Sequence, residues 1–401
     1  MQKNEFMIKS ETLDKLKVQM QNAAQRITDA MKQKQPIWIR HHADTDGYCG
    51  AVALERVILK NLHEIHRRER DVFNYYRRLP SRTPFYDYSD ALKDLTNMFN
   101  EVARFEQKKP LIIVVDNGSS FEDLLSLKTL SAYGVDLIVI DHHPAFSEND
   151  NYISIHINPW LVDGDSGVVC GMLCAELARM IDSSKEEEMG LLAALSGAGD
   201  KSQNTEMKQY ADIAGQKGCN IEELSSISDA LNYISSNIGY MESRQMIDDL
   251  LFGDREKQKQ IVGIITKELN IRKQELLFAI KKYIEKKEHN GVIIAKLNTG
   301  TIISHGQYPS GAKAISIAKE YLENEFKKNV VAMGYGDSFI TFRISHPLLL
   351  DMNKIKEQLA ADLPHALVQG GGHAHAGTIK FCSAAKEEVM DLTEKIIKQT
   401  I

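Results

Sequence analysis

The sequence predicts an α/β protein with an N-terminal parallel-sheet domain and a smaller C-terminal α/β domain, joined by a long helical linker. Three short apolar runs, at residues 37–39, 111–115 and 135–140, are each followed by a helix-forming segment. Buried strands that alternate with helices are typical of a parallel sheet covered on both faces. A charged stretch, residues 255–287, carries apolar residues at helical spacing, and strand and helix patterns resume after it.

These patterns divide the 401 residues into three segments. Residues 1–250 are expected to form the parallel-sheet domain, with an N-terminal helix within 1–35. Residues 251–289 are expected to form the linker and residues 290–401 the second domain. We expect the active-site cleft between the two domains.

Composition narrows the class of protein. The net charge of −6 excludes a general basic coat, so any contact with nucleic acid must come from a local patch. The N-terminus has no apolar signal core, and no apolar run is long enough to span a bilayer. The five cysteines are scattered, which fits a reducing compartment and predicts a cytoplasmic protein. Cys170 and Cys174 have no partner Cys/His pair and are predicted to be buried thiols.

A polar loop follows the first predicted strand. Residues 10–34 have the pattern of an amphipathic helix that Pro36 ends, and a helix is expected again at 51–62. Between them, His42, Asp44 and Asp46 alternate, so an extended backbone would direct all three side chains to one face. A capping cluster before a helix would explain only one of these acids. Gly47 is expected to allow the turn into the helix, and His41, on the opposite face, to be structural.

The other two predicted strands end in similar residues. Asp116 follows the second strand, and Asp141, His142 and His143 follow the third. A later helix, residues 187–198, leads to Asp200. Because the carboxyl ends of parallel strands meet at one edge of a sheet, we expect these side chains to converge. Carboxylates with imidazoles favour manganese, zinc or iron, although a histidine pair in a solvated turn is the alternative for the triplet alone.

Residues 66–82 are rich in arginine. The segment has six arginines, two acids and three interleaved aromatic residues. Arginines with aromatic side chains bind the phosphates and stack on the bases of single-stranded nucleic acid. On this interpretation Arg67, Arg68, Arg77 and Arg78 follow the strand. The alternative is a solvated helix face that continues into a sheet strand.

The second domain is predicted to begin with a hairpin, formed by residues 292–297 and 301–304. Strands are expected at 329–333, 339–345 and 379–382, and helices at 312–323, 352–361 and 385–398. Residues 370–377 read Gly-Gly-Gly-His-Ala-His-Ala-Gly. Glycines expose backbone N–H groups, which suits a phosphate or carboxylate, and a simple tight turn is the alternative.

Taken in order, these motifs resemble the DHH phosphoesterase superfamily with its DHH-associated C-terminal domain, and most closely the archaeal RecJ-type single-strand exonucleases. The resemblance covers nearly the whole chain. It implies a catalytic DHH domain and a substrate-binding DHH-associated domain. It also implies two manganese ions, with magnesium possible as a substitute. Histidine among the ligands favours manganese, since magnesium prefers all-oxygen shells.

The resemblance also implies residue roles. His42 and Asp44 would hold one metal, Asp46, His142 and Asp200 would hold the other, and Asp116 would bridge them. Asp141 would orient a histidine ring, and His143 would face the scissile phosphate. In the second domain the substrate would be bound by Arg343, Gly371, Gly372 and His373. His375 departs from the family pattern, in which an apolar or small residue is common.

The implied function is an exonuclease that releases nucleoside monophosphates from single-stranded DNA or RNA. Two rivals share the fold. One is an oligoribonuclease that also hydrolyses phosphoadenosine phosphate, or a cyclic-dinucleotide phosphodiesterase, neither of which needs an arginine track. The other is a catalytically silent replisome scaffold, against which stands a competent residue at every ligand position. Expected partners are single-stranded nucleic acid or short oligonucleotides and replication or repair proteins, with no membrane.

Overall fold

The computed structural model describes residues 5–66, 68–81, 83–238, 244–303 and 308–401. The chain divides into two compact units: Met1–Ser235 with Tyr240–Val262, and Ser236–Gly239 with Gly263–Ile401. Each unit has its own sheet, and the boundary between them lies inside a long helix. No helix in the described ranges is long and apolar enough to cross a membrane.

The first unit is built on a five-stranded sheet in which every pairing is parallel. The order across the sheet is β2-β1-β3-β4-β5. The strands are β1 Ile37–His42, β2 Tyr76–Ser81, β3 Leu111–Val115, β4 Asp136–Ile140 and β5 Ile155–Ile157. Every residue of β3 is buried, as its continuous apolar sequence predicts for a central parallel strand.

Helices surround this sheet. Ser10 caps the first one by accepting a hydrogen bond from the Leu13 N–H (3.3 Å), and its apolar face is buried as the sequence predicts. The helices are α1 Glu11–Lys32, α2 Thr45–Ile65, α3 Glu69–Val72, α4 Tyr88–Phe105, α5 Leu124–Ala132, α6 Cys170–Ile181, α7 Glu186–Gly199, α8 Thr205–Gln216, α9 Ile221–Ile238 and α10 Arg244–Phe252. The long helix α11, Arg255–Tyr283, crosses the boundary between the units.

The second unit is built on a six-stranded mixed sheet of order β10-β11-β9-β8-β7-β6. Its strands are β6 Glu285–His289, β7 Val292–Asn298, β8 Val330–Tyr335, β9 Phe339–Ile344, β10 Gln369–His373 and β11 Ala376–Lys380. Its helices are α12 Thr299–Ile302, α13 Gly311–Phe326, α14 Met352–Asp362 and α15 Lys386–Thr400. Apolar side chains of β7 and β8 alternate between two buried cores, one on each face of the sheet. The predicted α/β class, with a parallel sheet followed by a second α/β region, is confirmed.

The hairpin predicted at the start of the second unit is wrong. The antiparallel partner of β7 is β6, and the turn between them uses Asn290 and Gly291, both with positive φ. Residues 299–302 are helical, and Ser304 lies outside the described ranges. Four of the five residues of β6 are exposed, because it is a charged edge strand. Such a strand lacks the apolar alternation that would distinguish it from the end of α11.

The glycine-rich stretch forms a strand instead of an open loop. Gly370 and Gly372 have φ of +119° and +145°, in the region that favours glycine. A Cβ at Gly370 would lie 2.2 Å from the Thr378 carbonyl oxygen, on the neighbouring strand β11. The glycines therefore allow close approach of two backbones within the hairpin of β10 and β11, a role that the sequence did not predict.

Candidate metal centre

Three loops meet at the carboxyl ends of β1, β3 and β4. The Asp116 N–H, directly after β3, donates to the Ile140 carbonyl oxygen (2.9 Å) and to Cys170 Sγ (3.1 Å). Asp116 has φ +58°, a left-handed conformation in which aspartate is more often found than most residues. The Cys170 thiol in turn donates to the Ile140 carbonyl oxygen (2.8 Å). Cys170 and Cys174 are buried thiols, as expected.

His42, Asp44 and Asp116 form a first group of ligand-type side chains. His42 Nδ1 lies 2.9 Å from Asp44 Oδ2 and 3.3 Å from Asp116 Oδ2. Asp44 also caps α2, because its Oδ1 accepts a hydrogen bond from the Gly47 N–H (3.0 Å). A Cβ at Gly47 would lie 2.2 Å from the His42 carbonyl oxygen. Glycine is therefore required there for a close approach and not for a left-handed turn.

Asp46, His142 and Asp200 form a second group. His142 Nε2 lies 3.5 Å from Asp46 Oδ2, 3.3 Å from Asp200 Oδ2 and 3.4 Å from Asp116 Oδ1. The other ring nitrogen, Nδ1, lies 2.9 Å from the Ser166 carbonyl oxygen. A carbonyl can only accept, so Nδ1 carries the proton in the neutral ring and the Nε2 lone pair faces the carboxylates.

Asp46 lies within helix α2, whereas Asp44 precedes the helix as its cap. The helix α2 begins before residue 46, so the three alternating side chains do not share one extended segment and that prediction is wrong. Asp46 is buried, and its carboxylate accepts hydrogen bonds from the N–H groups of Cys170 (2.9 Å) and Gly171 (2.6 Å) and from the Ser196 hydroxyl. The partial positive charge of the α6 N-terminus thus faces Asp46. Sequence reasoning did not identify Ser196, which lies on a different helix and has no motif around it.

Asp141 orients His143. Asp141 Oδ1 accepts from the backbone N–H of His142 (2.7 Å) and from His143 Nδ1 (2.8 Å), while Oδ2 accepts from the Ser119 N–H (3.1 Å). Burial would raise the pKa of Asp141, but the neighbouring His143 outweighs it and holds that pKa below its ordinary value. The histidine ring that Asp141 contacts, and that it would orient, is therefore that of His143.

The carboxylates of the second group are crowded. Burial raises the pKa of Asp46 well above its ordinary value, and the charges of Asp116 and Asp200 raise it further. Burial also raises the pKa of Asp200 to about 6, although His142 acts in the opposite direction. Within the chain alone, these groups favour proton uptake, which is how buried like charges are relieved when no cation is present.

The histidines respond to the same negative charge. Burial lowers the pKa of His42, but Asp44 and Asp116 outweigh it and the pKa lies well above the ordinary value. His142 behaves likewise beside Asp116 and Asp200. By contrast, burial lowers the pKa of His41 to about 3. The His41 ring packs edge-on against Tyr48, which fits its expected structural role.

The site fits divalent cations. In each group the ligand-type atoms lie within 4.8 Å of one another, and Asp116 also groups with Asp141 and His143. Asp116 Oδ1 is buried and has no hydrogen-bond donor within the described residues. Carboxylates with neutral imidazoles are the donor set of manganese, zinc or iron. Asp116 is the residue whose two oxygens face different groups.

Two arginines assigned to substrate binding have structural partners in the first unit. The Arg78 side chain is 1% exposed and lies 3.4 Å from Glu55 on α2, so its assignment to a phosphate track is wrong. Arg77 pairs with Glu101 and lies over the Trp38 ring, with 38% of its side chain exposed. Arg68 is exposed. Arg67 and Arg82 lie outside the described residues.

The substrate-binding residues assigned to the second unit lie on its sheet. Arg343 on β9 donates from Nε to Ser316 Oγ (3.0 Å), and burial lowers the pKa of Arg343. Gly371 and Gly372 are in β10, and His373 is its last residue. His375, in the following turn, has Nδ1 3.1 Å from His346 Nε2 and Nε2 2.8 Å from the Leu348 carbonyl oxygen. These contacts give His375 a role in fixing the turn.

Comparison with known proteins identifies the family. Residues 36–197 match the model described as the DHH family, N-terminal domain. An uncharacterized protein of Methanocaldococcus jannaschii is 31% identical over 424 residues, which cover 98% of this chain and 55% of that protein. The chain thus spans about half the length of this relative.

Solved structures agree. The structure described as the DHH domain of a member of the s1p family of ribosomal proteins is 32% identical, with a TM-score of 0.94, covering 99% of this chain and 94% of that one. RecJ of Thermus thermophilus in complex with Mn2+ has a TM-score of 0.64 at 16% identity, covering 94% of this chain and 54% of that one. The second likeness shows the fold alone. With the motifs, the sheet and these matches together, the chain belongs to the DHH family.

Proposed function

We propose that the protein is a phosphodiesterase that uses two divalent metal ions, with manganese preferred, to remove nucleotides from the end of single-stranded DNA or RNA. The observation that carries this proposal is the position of Asp116, whose two carboxylate oxygens face two separate groups of ligand-type side chains. Members of the DHH family are typically metal-dependent phosphoesterases, which supports the reaction class.

The candidate site residues would have the following roles. His42 and Asp44 would hold one ion, Asp46, His142 and Asp200 the other, and Asp116 both. Two ions held in this way would supply Lewis acidity toward a phosphodiester and its attacking water. The Ser166 carbonyl keeps the His142 Nε2 lone pair directed at the carboxylates. His143, held through Nδ1 by Asp141, would present its remaining ring nitrogen to the substrate phosphate.

The second unit would bind the rest of the substrate. Arg343, Gly371, Gly372 and His373 remain our candidates for contacts with a phosphate or a terminal nucleotide. Deleting residues 290–401 is expected to raise the KM for oligonucleotides sharply while metal binding persists. An unchanged KM would contradict this role. Because one relative is named for a family of ribosomal proteins, RNA has to be tested beside DNA.

A second candidate function is hydrolysis of short substrates, such as oligoribonucleotides, phosphoadenosine phosphate or cyclic dinucleotides. The partners of Arg77 and Arg78 favour it, because they weaken the case for a long phosphate track. The catalytically silent scaffold is less favoured, since every ligand position carries a competent donor.

The deciding experiment is a time course with end-labelled DNA and RNA of several lengths, phosphoadenosine phosphate and cyclic di-AMP, with manganese or EDTA. Manganese-dependent release of mononucleotides from long strands supports the exonuclease. Turnover confined to short substrates supports the second candidate. Absence of turnover on every substrate contradicts both. An Asp116→Asn variant serves as the matched control for contaminating nucleases.

A further inference from the structure

Beside the metal centre lies an exposed tryptophan that none of the assigned roles uses. Trp160 is 44% exposed, whereas the second tryptophan of the chain, Trp38, is 1% exposed. An exposed indole presents a large, rigid apolar face with one polar edge, which suits contact with a flat partner. Its surroundings indicate what that partner is.

The N–H edge of the Trp160 ring contacts two residues of the candidate metal centre. One is His142, a candidate metal ligand, and the other is Ser166, which holds the His142 ring. Trp160 Nε1 lies 3.1 Å from the His142 carbonyl oxygen and 3.1 Å from Ser166 Oγ. The Ser166 carbonyl is the group that fixes the His142 ring. The indole N–H is therefore satisfied on the protein side, and the exposed part of the ring is apolar surface next to the candidate metal centre.

The backbone around Trp160 is also fixed. Trp160 lies in the short 3-10 helix Pro159–Val162. Its backbone N–H donates to Asn158 Oδ1 (3.0 Å). The buried Asn158 side chain also donates to the His143 carbonyl oxygen and to Ser119 Oγ, both at 2.9 Å. One asparagine thus ties the tryptophan turn to the loops after β3 and β4. A ring anchored at its backbone and at its edge is preorganised to receive a flat ligand.

We propose that Trp160 is a nucleobase-stacking subsite that positions the terminal nucleotide of the substrate at the metal centre. This inference rests on the proposed function, since it names the part of the substrate that this side chain recognises. Base–aromatic stacking is tolerant of sequence because every base has a π-face. It would give the centre a preference for nucleotides over other phosphodiesters without selecting a particular base.

Fluorescence tests binding without turnover. Trp38 is buried, so the emission that a ligand can quench should come from Trp160. With magnesium present, adenosine 5′-monophosphate is expected to quench the emission, and ribose 5-phosphate, which lacks the base, to leave it unchanged. The Trp160→Leu variant should lose the quenched component. Equal responses to the two ligands, or no quenching by the nucleotide, would overturn the proposal.

Kinetics test the same subsite during hydrolysis. Trp160→Leu is expected to raise the KM for a dinucleotide roughly 10-fold, within the range known for stacking on aromatic side chains. The increase should be much smaller for an abasic phosphodiester of the same length, and Trp160→Tyr should restore most of the loss. Leu161→Ala, the exposed neighbour, is the matched control.

Equal losses on the base-bearing and abasic substrates would mean that Trp160 only supports the fold, and would overturn the proposal. If Trp160→Leu does not fold, Trp160→Tyr and the quenching of the wild-type protein still decide. Should no phosphodiester be hydrolysed, the proposed function fails, whereas the fluorescence result continues to report on the subsite by itself.

Discussion

The candidate metal centre and the arginine-rich strand β2 both place charged side chains inside the first unit, and they differ in how those charges are balanced. Near β2, two buried arginines each have a carboxylate partner: Arg78 lies 3.4 Å from Glu55, and Arg40 pairs with Asp94. In the candidate metal centre Asp46 lies close to Asp200, and the cationic partners that the chain offers there are histidines. The charges near β2 are paired within the chain, whereas those of the candidate metal centre can be relieved by proton uptake or by bound cations.

The energetic difference follows from burial. A buried charge is costly unless it is paired, and like charges repel more strongly in a protein interior than in water. Asp46 and Asp200 respond with raised pKa values, and the raised pKa values of His42 and His142 favour added protons on these rings in the metal-free chain. A pair of dications would offset the same negative charge and displace those protons. The contrast can be tested by substitution on each side.

The largest effect is expected at Asp116. Asp116→Asn keeps the shape but removes the charge that both ligand groups share, so metal-dependent hydrolysis should fall by at least about 100-fold. The metal-free protein should unfold at the same or a higher temperature, because a buried negative charge is gone. Activity assays with manganese, beside thermal unfolding in EDTA, measure the two effects.

Asp212→Asn, at an exposed position on α8, is the matched control and should behave as the wild type. Near-normal manganese-dependent turnover in Asp116→Asn would contradict the assignment of a shared ligand. Loss of the fold in EDTA would show that the charge is structural, as the charges near β2 are.

A smaller effect, on stability and not on chemistry, is expected at Arg78. Arg78→Met leaves Glu55 buried without its nearer partner, and breaking a buried ion pair typically costs about 3–5 kcal/mol. Arg244 Nε lies 3.6 Å from Glu55 and remains as a partner, so the loss in unfolding free energy should lie near the lower end of this range. Urea unfolding measures it. Arg68→Met, at an exposed arginine of the same segment, should change little.

For folded Arg78→Met protein, the KM for long oligonucleotides should stay within about twofold of the wild type, since a buried guanidinium contacts no phosphate. A normal stability with a raised KM would restore the phosphate track that the sequence suggested.

The sequence predicts those parts of the centre whose residues directly follow a recognisable strand. It does not predict contacts between residues that are far apart along the chain. Asp116 and the triplet at residues 141–143 follow apolar strands directly, so strand periodicity and sheet geometry were enough to bring them to one edge. The Ser166 carbonyl that fixes the His142 ring is a backbone group remote in sequence, and no pattern identifies it. Arg78 was misassigned because its partner Glu55 lies on another element.

The errors in local structure have two causes. Helix α2 starts earlier than expected because Asp44 caps it. An aspartate before a helix can serve as a cap or as a metal ligand, and its sequence position does not distinguish the two roles. β6 is charged and exposed, so its pairing with β7 decides its conformation and its own residues do not. At β6 a tertiary contact outweighs the local preference of the residues, whereas the cap of α2 is a local contact between Asp44 and Gly47.

The smallest effect concerns Asp123, a buried carboxyl that, among the described residues, belongs to none of the metal groups and pairs with no arginine. It accepts hydrogen bonds from the Ser120 N–H (2.7 Å) and hydroxyl (2.6 Å) and from the Tyr86 N–H. Burial raises the pKa of Asp123 to about 7. Because this pKa is raised on folding, the stability that it contributes is present at low pH and is lost as pH rises through about 7.

The difference in unfolding free energy between wild type and Asp123→Asn should therefore shift against the wild type between about pH 5.5 and about pH 8, by at most about 2 kcal/mol. Asparagine cannot ionise, so it removes this pH dependence. Urea unfolding of both proteins across that range measures the shift. A difference that is constant with pH would mean that Asp123 is ionised throughout, as a carboxylate with a counter-charge would be.

The central claim is that Asp116 joins two metal sites, and electron paramagnetic resonance of the manganese-loaded protein tests it most directly. Titrating EDTA-treated and desalted protein with Mn2+ should give two bound ions per chain, with the exchange-coupled spectrum expected when bridged ions lie roughly 3.5–4 Å apart. The Asp116→Asn variant should lose that coupling. Binding of a single ion, or of two ions that show no coupling in the wild type, would contradict the shared-ligand centre.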